Sequence, residues 1–230
     1  MITRATTFAL AAMLALTSQS LAAQQGDTLT PAEWIAVAQE KVVLHQWPVA
    51  DRPWPRLRLY RFIDATPEQS AAMFADYEHQ TAYNVDLKQA TAGRRLDSAR
   101  TEVFYRYASN VPMVSDVTYT VLDQIRREPN DAYVITWRLV SGSKVRTTDG
   151  SARFSPYRNP ATGQVGTLLI YDNLVVPDFF GASLGLVRDK AIAAMRDAVD
   201  AIAMETARER TSDRPLLDRQ VAALRAALAY

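Results

Sequence analysis

The chain contains no cysteine. That excludes disulfides, thiol nucleophiles, thiolate metal sites and a lipobox cysteine for lipid anchoring. Histidine is scarce as well: His45 and His79 are the only two, and they stand in separate segments. No His/Cys ligand cluster can be assembled from them, so a metal or other cofactor is not expected. A strong charge bias is also missing. The net charge is +1 and no basic run marks a nucleic-acid groove, so nucleic acid is not an expected partner. Repeats and low-complexity segments are absent. The one continuous apolar run, Thr6–Leu16, is too short to span a bilayer comfortably.

What is present begins at that run. Met1–Arg4 forms a short positive n-region, Thr6–Leu16 an apolar h-region, and Ser20-Leu21-Ala22 or Leu21-Ala22-Ala23 a small-residue cleavage site. The expectation is a cleaved signal peptide over residues 1–23 and a periplasmic or secreted mature protein. The remaining chain, in a sequence 48% apolar, is long enough to bury a substantial core.

Residues 24–53 read as an N-terminal helix and a Pro-rich connector. Thr30-Pro31-Ala32-Glu33 supplies N-cap, N1 proline and capping-box glutamate, and the helix is expected to run to about His45. Three prolines between Trp47 and Pro55 then dictate an extended path. Leu57–Ile63 alternates as a strand, and Thr66-Pro67-Glu68-Gln69 opens a second helix that Asp76-Tyr77 ends. Period-two patterning follows in Leu87–Leu96, Thr101–Ser109, Met113–Arg127, Ala132–Ser141, Thr147–Tyr157 and Val165–Val176. Turn signals, among them Pro129-Asn130-Asp131 and Ser141-Gly142-Ser143, separate these runs. From Gly185 to Glu209 the period becomes helical. Leu184, Val187, Ala191, Ile192, Ala194, Met195, Ala198, Val199 and Ile202 share one side, with Arg188 as a cation inside that apolar arc. A last amphipathic helix carries Leu216, Leu217, Val221, Leu224 and Leu228 within a C-terminal extension, residues 211–230.

Over residues 54–210 this order resembles the helix-grip fold of the START and Bet v 1-like (SRPBCC) superfamily, which includes the polyketide cyclases. Phe74-Ala75-Asp76-Tyr77 at a helix end, Val111-Pro112-Met113-Val114-Ser115-Asp116 at a strand start, and Val176-Pro177 before the long helix carry the likeness. The family usually continues the second motif with Arg-Asp, where this chain has Val117-Thr118. The resemblance implies an α+β fold. A curved antiparallel sheet of about seven strands would wrap around a long C-terminal helix, with N- and C-terminal helices flanking it. It also implies a hydrophobic small molecule or lipid held between sheet and helix.

Two catalytic patterns fail on inspection. Gly181-Ala182-Ser183-Leu184-Gly185 matches the Gly-x-Ser-x-Gly elbow, yet no histidine follows Ser183 as hydrolase order requires. Ser141-x-x-Lys144 follows a strand, whereas the penicillin-interacting motif opens a helix, and no Lys-Thr-Gly is present. No catalytic residue is assigned. His79 reads as a surface histidine or a polar group at a cavity mouth.

Polar residues inside strands are the better candidates. Glu102, Phe104 and Arg106 share one face of their strand, opposite Val103, Tyr105 and Tyr107. Asp172 shares a face with Leu168, Ile170 and Leu174 and needs a partner such as Arg106 or Arg188, because a buried lone charge costs several kcal/mol or shifts its pKa. The aromatic set Tyr105, Tyr107, Tyr119, Tyr133 and Trp137 reads equally as pocket lining or ordinary core, and the ligand-binding set is Arg106, Tyr119, Trp137, Asp172, Arg188 and Met195. If the strand faces are reversed, Asp172 belongs instead to a structural ion pair or a barrel exterior. The functional expectation is a non-enzymatic binding protein for a lipid or other hydrophobe, with transient membrane-surface contact to acquire it. The alternatives are a cyclase- or aromatase-like enzyme on a hydrophobic substrate and a protein-interaction module.

Overall fold

Alternating patterning becomes eight strands in one antiparallel sheet of order β1-β2-β8-β7-β6-β5-β4-β3. The computed structural model describes residues 28–108, 115–179, 185–212 and 215–228. The proposed signal segment, residues 181–184 of the Gly-x-Ser-x-Gly match and Val111–Val114 of the strand motif lie outside them.

The strands are β1 (Val43–Trp47), β2 (Arg56–Ile63), β3 (Leu87–Arg95), β4 (Arg100–Tyr107), β5 (Val117–Glu128), β6 (Ala132–Ser143), β7 (Val145–Arg158) and β8 (Val165–Pro177). The helices are α1 (Pro31–Ala38), α2 (Pro67–Ala75), α3 (Gly185–Arg210) and α4 (Leu216–Leu228), with a 3-10 turn at Glu78–Ala82. The expected α+β helix-grip architecture is what the chain forms: a curved sheet, a long C-terminal helix and a flanking one.

Two compact units divide between Ile35 and Ala36. In the first, Thr30 and Glu33 form the anticipated reciprocal cap, with Thr30 N–H donating to Glu33 Oε2 at 2.7 Å and Glu33 N–H to Thr30 Oγ1 at 3.3 Å. The second unit holds the sheet and α2 to α4. At its start the helix does not reach His45. The Lys41 N–H returns to Ala36 O, Glu40 takes φ 60°, and Val43–Trp47 pairs antiparallel with Arg56–Tyr60 instead. A run that opens on Val43 and ends on Trp47 next to an open sheet edge gains ladder hydrogen bonds there that a frayed helix end does not offer. This edge strand is the one beyond the number expected.

Thr66 caps α2 with both halves of a capping box, and Asp76 ends it. One turn differs from expectation. Gly142 lies inside β6, where a Cβ would come within 2.9 Å of the Tyr119 Cβ, and the chain reverses at Lys144, whose φ is 65°. Glycine is needed there for close approach rather than for turning.

Two apolar clusters lie under the sheet. The larger joins Leu59, Ile63, Met73, Ile135, Phe154 and Leu169 to Val199 and Ile202 of α3. The smaller joins Tyr77, Leu87, Val103, Tyr105 and Val121 near β4 and β5, and Trp137 packs against both. On the far side, α4 lies against α2. Leu217 and Leu224 are buried, Gln220 donates to Asp76 Oδ2 at 2.6 Å, and Arg225 pairs with Glu68 at 2.6 Å.

Candidate functional site

Strand parity decides which side chains can meet α3. On β5 the inward series is Val117, Tyr119, Val121 and Asp123, and on β8 it is Leu169, Tyr171, Asn173 and Val175. The α3 stripe of Val187, Ala191, Ala194, Met195, Ala198, Val199 and Ile202 faces them. Small alanines on that stripe cannot fill the gap, and a cavity of about 320 Å³ remains between sheet and helix.

Its walls are mainly apolar, and aromatic rings make up much of the sheet side. Tyr105 and Tyr119 have ring centroids 5.6 Å apart, and Tyr107 stacks on Tyr119 at 5.9 Å. Trp137 lies 5.1 Å from Tyr171 and stacks at 6.1 Å on Phe74. Gly150 makes room for that indole, since a Cβ there would sit 2.5 Å from Trp137 and 2.2 Å from the Asp172 carbonyl oxygen. A polar thread then crosses from sheet to helix. Trp137 Nε1–H donates to Asn173 Oδ1 at 3.3 Å, and Asn173 Nδ2 contacts Met195 Sδ at 3.5 Å.

A buried carboxyl group is embedded in this wall. Asp123 is 2% exposed and its Oδ1 has no hydrogen-bond partner. Burial pushes its carboxyl up to about 7. The Tyr77 hydroxyl is the smaller, opposing influence and lies outside hydrogen-bond geometry. Burial also raises Tyr83, Tyr105, Tyr119 and Tyr171, and holds Tyr107 at about 12, so these phenols stay neutral near pH 7.

Of the residues singled out from the sequence, Tyr119, Trp137 and Met195 meet in this cavity. The other three do not join them. Arg106 points outward from β4 and donates to Asp116 Oδ2 at 2.7 Å. Arg188, in the first turns of α3, is paired with its neighbour Asp189 at 3.0 Å rather than with Asp172. Asp172 is buried on the outer face of the sheet, where Arg56 Nε (2.6 Å) and Arg58 Nη2 (2.8 Å) hold it. Cross-strand register explains this, because Arg58 stands directly opposite Asp172 in the β2–β8 ladder. His79 bonds Glu205 of α3 at 2.8 Å and so ties the 3-10 turn to the long helix. Asp123 escaped the sequence reading, although it continues the alternation of Tyr119 and Val121.

No family model matches the chain, and no curated protein matches it either. Solved structures do. The STAR-related lipid transfer protein of Xanthomonas axonopodis superposes with a TM-score of 0.62 at 11% identity, over 73% of this chain and 94% of that one. The chain has a START-like helix-grip fold. Human StAR-related lipid transfer protein 5 shares that START-like fold at a TM-score of 0.61 and 11% identity, over 84% of this chain and all (100%) of the other. TTHA0849 from Thermus thermophilus follows it at 0.52 and 20% identity, over 69% and 100%. At such identities the likeness concerns the fold.

Proposed function

We propose that the protein binds a lipid or other hydrophobic small molecule in the cavity between its START-like sheet and α3. The observation that carries this reading is the aromatic and aliphatic wall around about 320 Å³ of space. Such walls take apolar ligand surface out of water at about 25 cal/mol per Å², while a few polar groups fix orientation. Two of the structural relatives are named as lipid transfer proteins, which agrees with that use of the fold. No reaction is needed for this role.

Export belongs to the same reading and rests on residues 1–23 alone: n-region, h-region and small-residue site. N-terminal sequencing of the protein from its own host should find a chain starting near Ala23 or Gln24, and retained Met1 would contradict it. A poorly soluble ligand would be acquired at a membrane surface by transient contact. No helix among the described residues is long and apolar enough to cross one.

The cavity itself is tested by filling it. Ala191→Trp places a large side chain on the lining face of α3. Uptake of a fluorescent fatty probe should fall at least tenfold while far-UV circular dichroism is preserved. Undiminished uptake would place the binding surface elsewhere. A cyclase-like reading draws on one observation, the Asp123 carboxyl that titrates near 7 and could move a proton. Against it, burial raises the surrounding phenols well above their ordinary range, so they stay protonated near pH 7 and none is poised to exchange that proton.

A further inference from the structure

The end of the cavity away from the start of α3 is built around a carboxyl group with no countercharge. Asp123 faces Trp137 directly across the β5–β6 ladder, and Tyr105, opposite Tyr119, stands on the adjoining strand. Tyr77, Tyr105, Tyr119 and Tyr171 each lie close enough to feel the charge of Asp123. All of these neighbours are neutral. Arg95, at the end of β3, acts on Tyr77, and no cation is among the influences on Asp123. Lys144 and Lys190 line the cavity, but on β7's leading turn and the first turns of α3, at its other end.

A buried acceptor left without a donor costs its full desolvation penalty, and a buried carboxylate without a cation costs more. Sheet proteins normally place an arginine or lysine opposite such a group, as this one does for Asp172 with Arg56 and Arg58. The inner face omits that partner and supplies aromatic rings instead. A carboxylate beside an indole and several phenols matches the two attractions an ammonium offers, a charge-assisted N–H···O bond and cation–π contact.

We propose that this end of the cavity is an ammonium subsite, in which the Asp123 carboxylate accepts an N–H from a protonated amine at the leading end of a hydrophobic ligand, between Trp137 and Tyr105. The inference rests on the cavity reading and narrows its ligand class to hydrophobic amines. A carboxylate headgroup would be repelled from this end, and an alcohol would satisfy the acceptor without neutralising its charge. Loading is linked to protons. Below pH 7 the carboxyl is largely protonated, so capture of an ammonium displaces that proton, and affinity should rise with pH up to about 7 and then level off. Other titratable groups on the wall are Tyr83, with His79 behind it bonded to Glu205, and Asp86 toward the other end. A change at Asp123 alone separates its contribution from theirs.

The test compares decylamine, decanol and decanoate as displacers of a fluorescent probe from the whole mature chain at pH 5.5, 7 and 8. Wild type should prefer decylamine to decanol at least tenfold at pH 8, and the preference should shrink toward pH 5.5. Decanoate should be the weakest at pH 8. Asp123→Asn should lose the preference and its pH dependence while still binding decanol. Equal binding of amine and alcohol by wild type across this range would overturn the ammonium assignment and leave the cavity reading intact. That comparison needs no variant, so it holds even if Asp123→Asn folds poorly. Retained amine preference in a folded Asp123→Asn protein would overturn it as well. Failure of all three to displace the probe would overturn the assignment together with the cavity reading.

Discussion

Two aspartates on opposite faces of the sheet show how context decides what a carboxylate does. Asp172 has two guanidinium partners and remains a structural group on the outer face. Asp123 has none and holds its proton up to about 7 in the folded chain, against a reference value of 3.8. Between those pH values the folded state binds more protons than the unfolded state, so this residue makes stability fall as pH rises through the window. At about 1.4 kcal/mol per unit the loss by pH 8 is roughly 4 kcal/mol. Asp123→Asn should remove that slope, and denaturant midpoints at pH 4 and pH 8 would show it; parallel slopes for both proteins would contradict the assignment. The cations separate in the same way. Arg188→Met should shift stability by no more than about 0.5 kcal/mol, because its partner Asp189 is itself exposed. Asp172→Asn should cost more, about 1–3 kcal/mol once the partial exposure of Arg56 and Arg58 is allowed for. Equal costs, measured by urea unfolding, would mean that Arg188 makes a stronger contact than the one to Asp189.

At the level of elements, the sequence was most legible where one period ran unbroken. The long stripe on α3, the capping box at Thr66 and the alternation of β4 to β8 lead directly to the observed elements. Val43–Trp47 was not legible, because Val42 continues the apolar side of the preceding helix and only pairing with Arg56–Tyr60 makes the segment a strand. Nor does alternation carry a sign. It groups Asp172 with Leu168 and Ile170, but which group turns toward α3 depends on the sheet's curvature and on where the helix lies. The same ambiguity hid Asp123, whose companions Tyr119 and Val121 were visible all along. Glycine at 150 belongs to this scale too, because it lets β7 pass beneath the Trp137 indole. Gly150→Ala should cost about 1–3 kcal/mol as an overpacking change and should alter tryptophan emission as the cavity wall shifts. Unchanged stability and emission would show that the indole has room to spare.

On the scale of the whole molecule, a sheet that curves around one long helix has a choice between packing that helix tightly and leaving space beneath it. Leucines and isoleucines at the inward positions of α3 would have closed the gap, and alanine at 191, 194 and 198 leaves it open. Much of the packing lies beside the cavity, where α2 and the second half of α3 bury Met73, Phe154, Val199 and Ile202 together and α4 covers α2. The most direct test is native mass spectrometry of the protein purified gently from its own host. The account predicts a species heavier than the mature chain, which loses a discrete small hydrophobic molecule on extraction with organic solvent and regains it on incubation. A bare chain mass that takes up no hydrophobe under any of these conditions would contradict it.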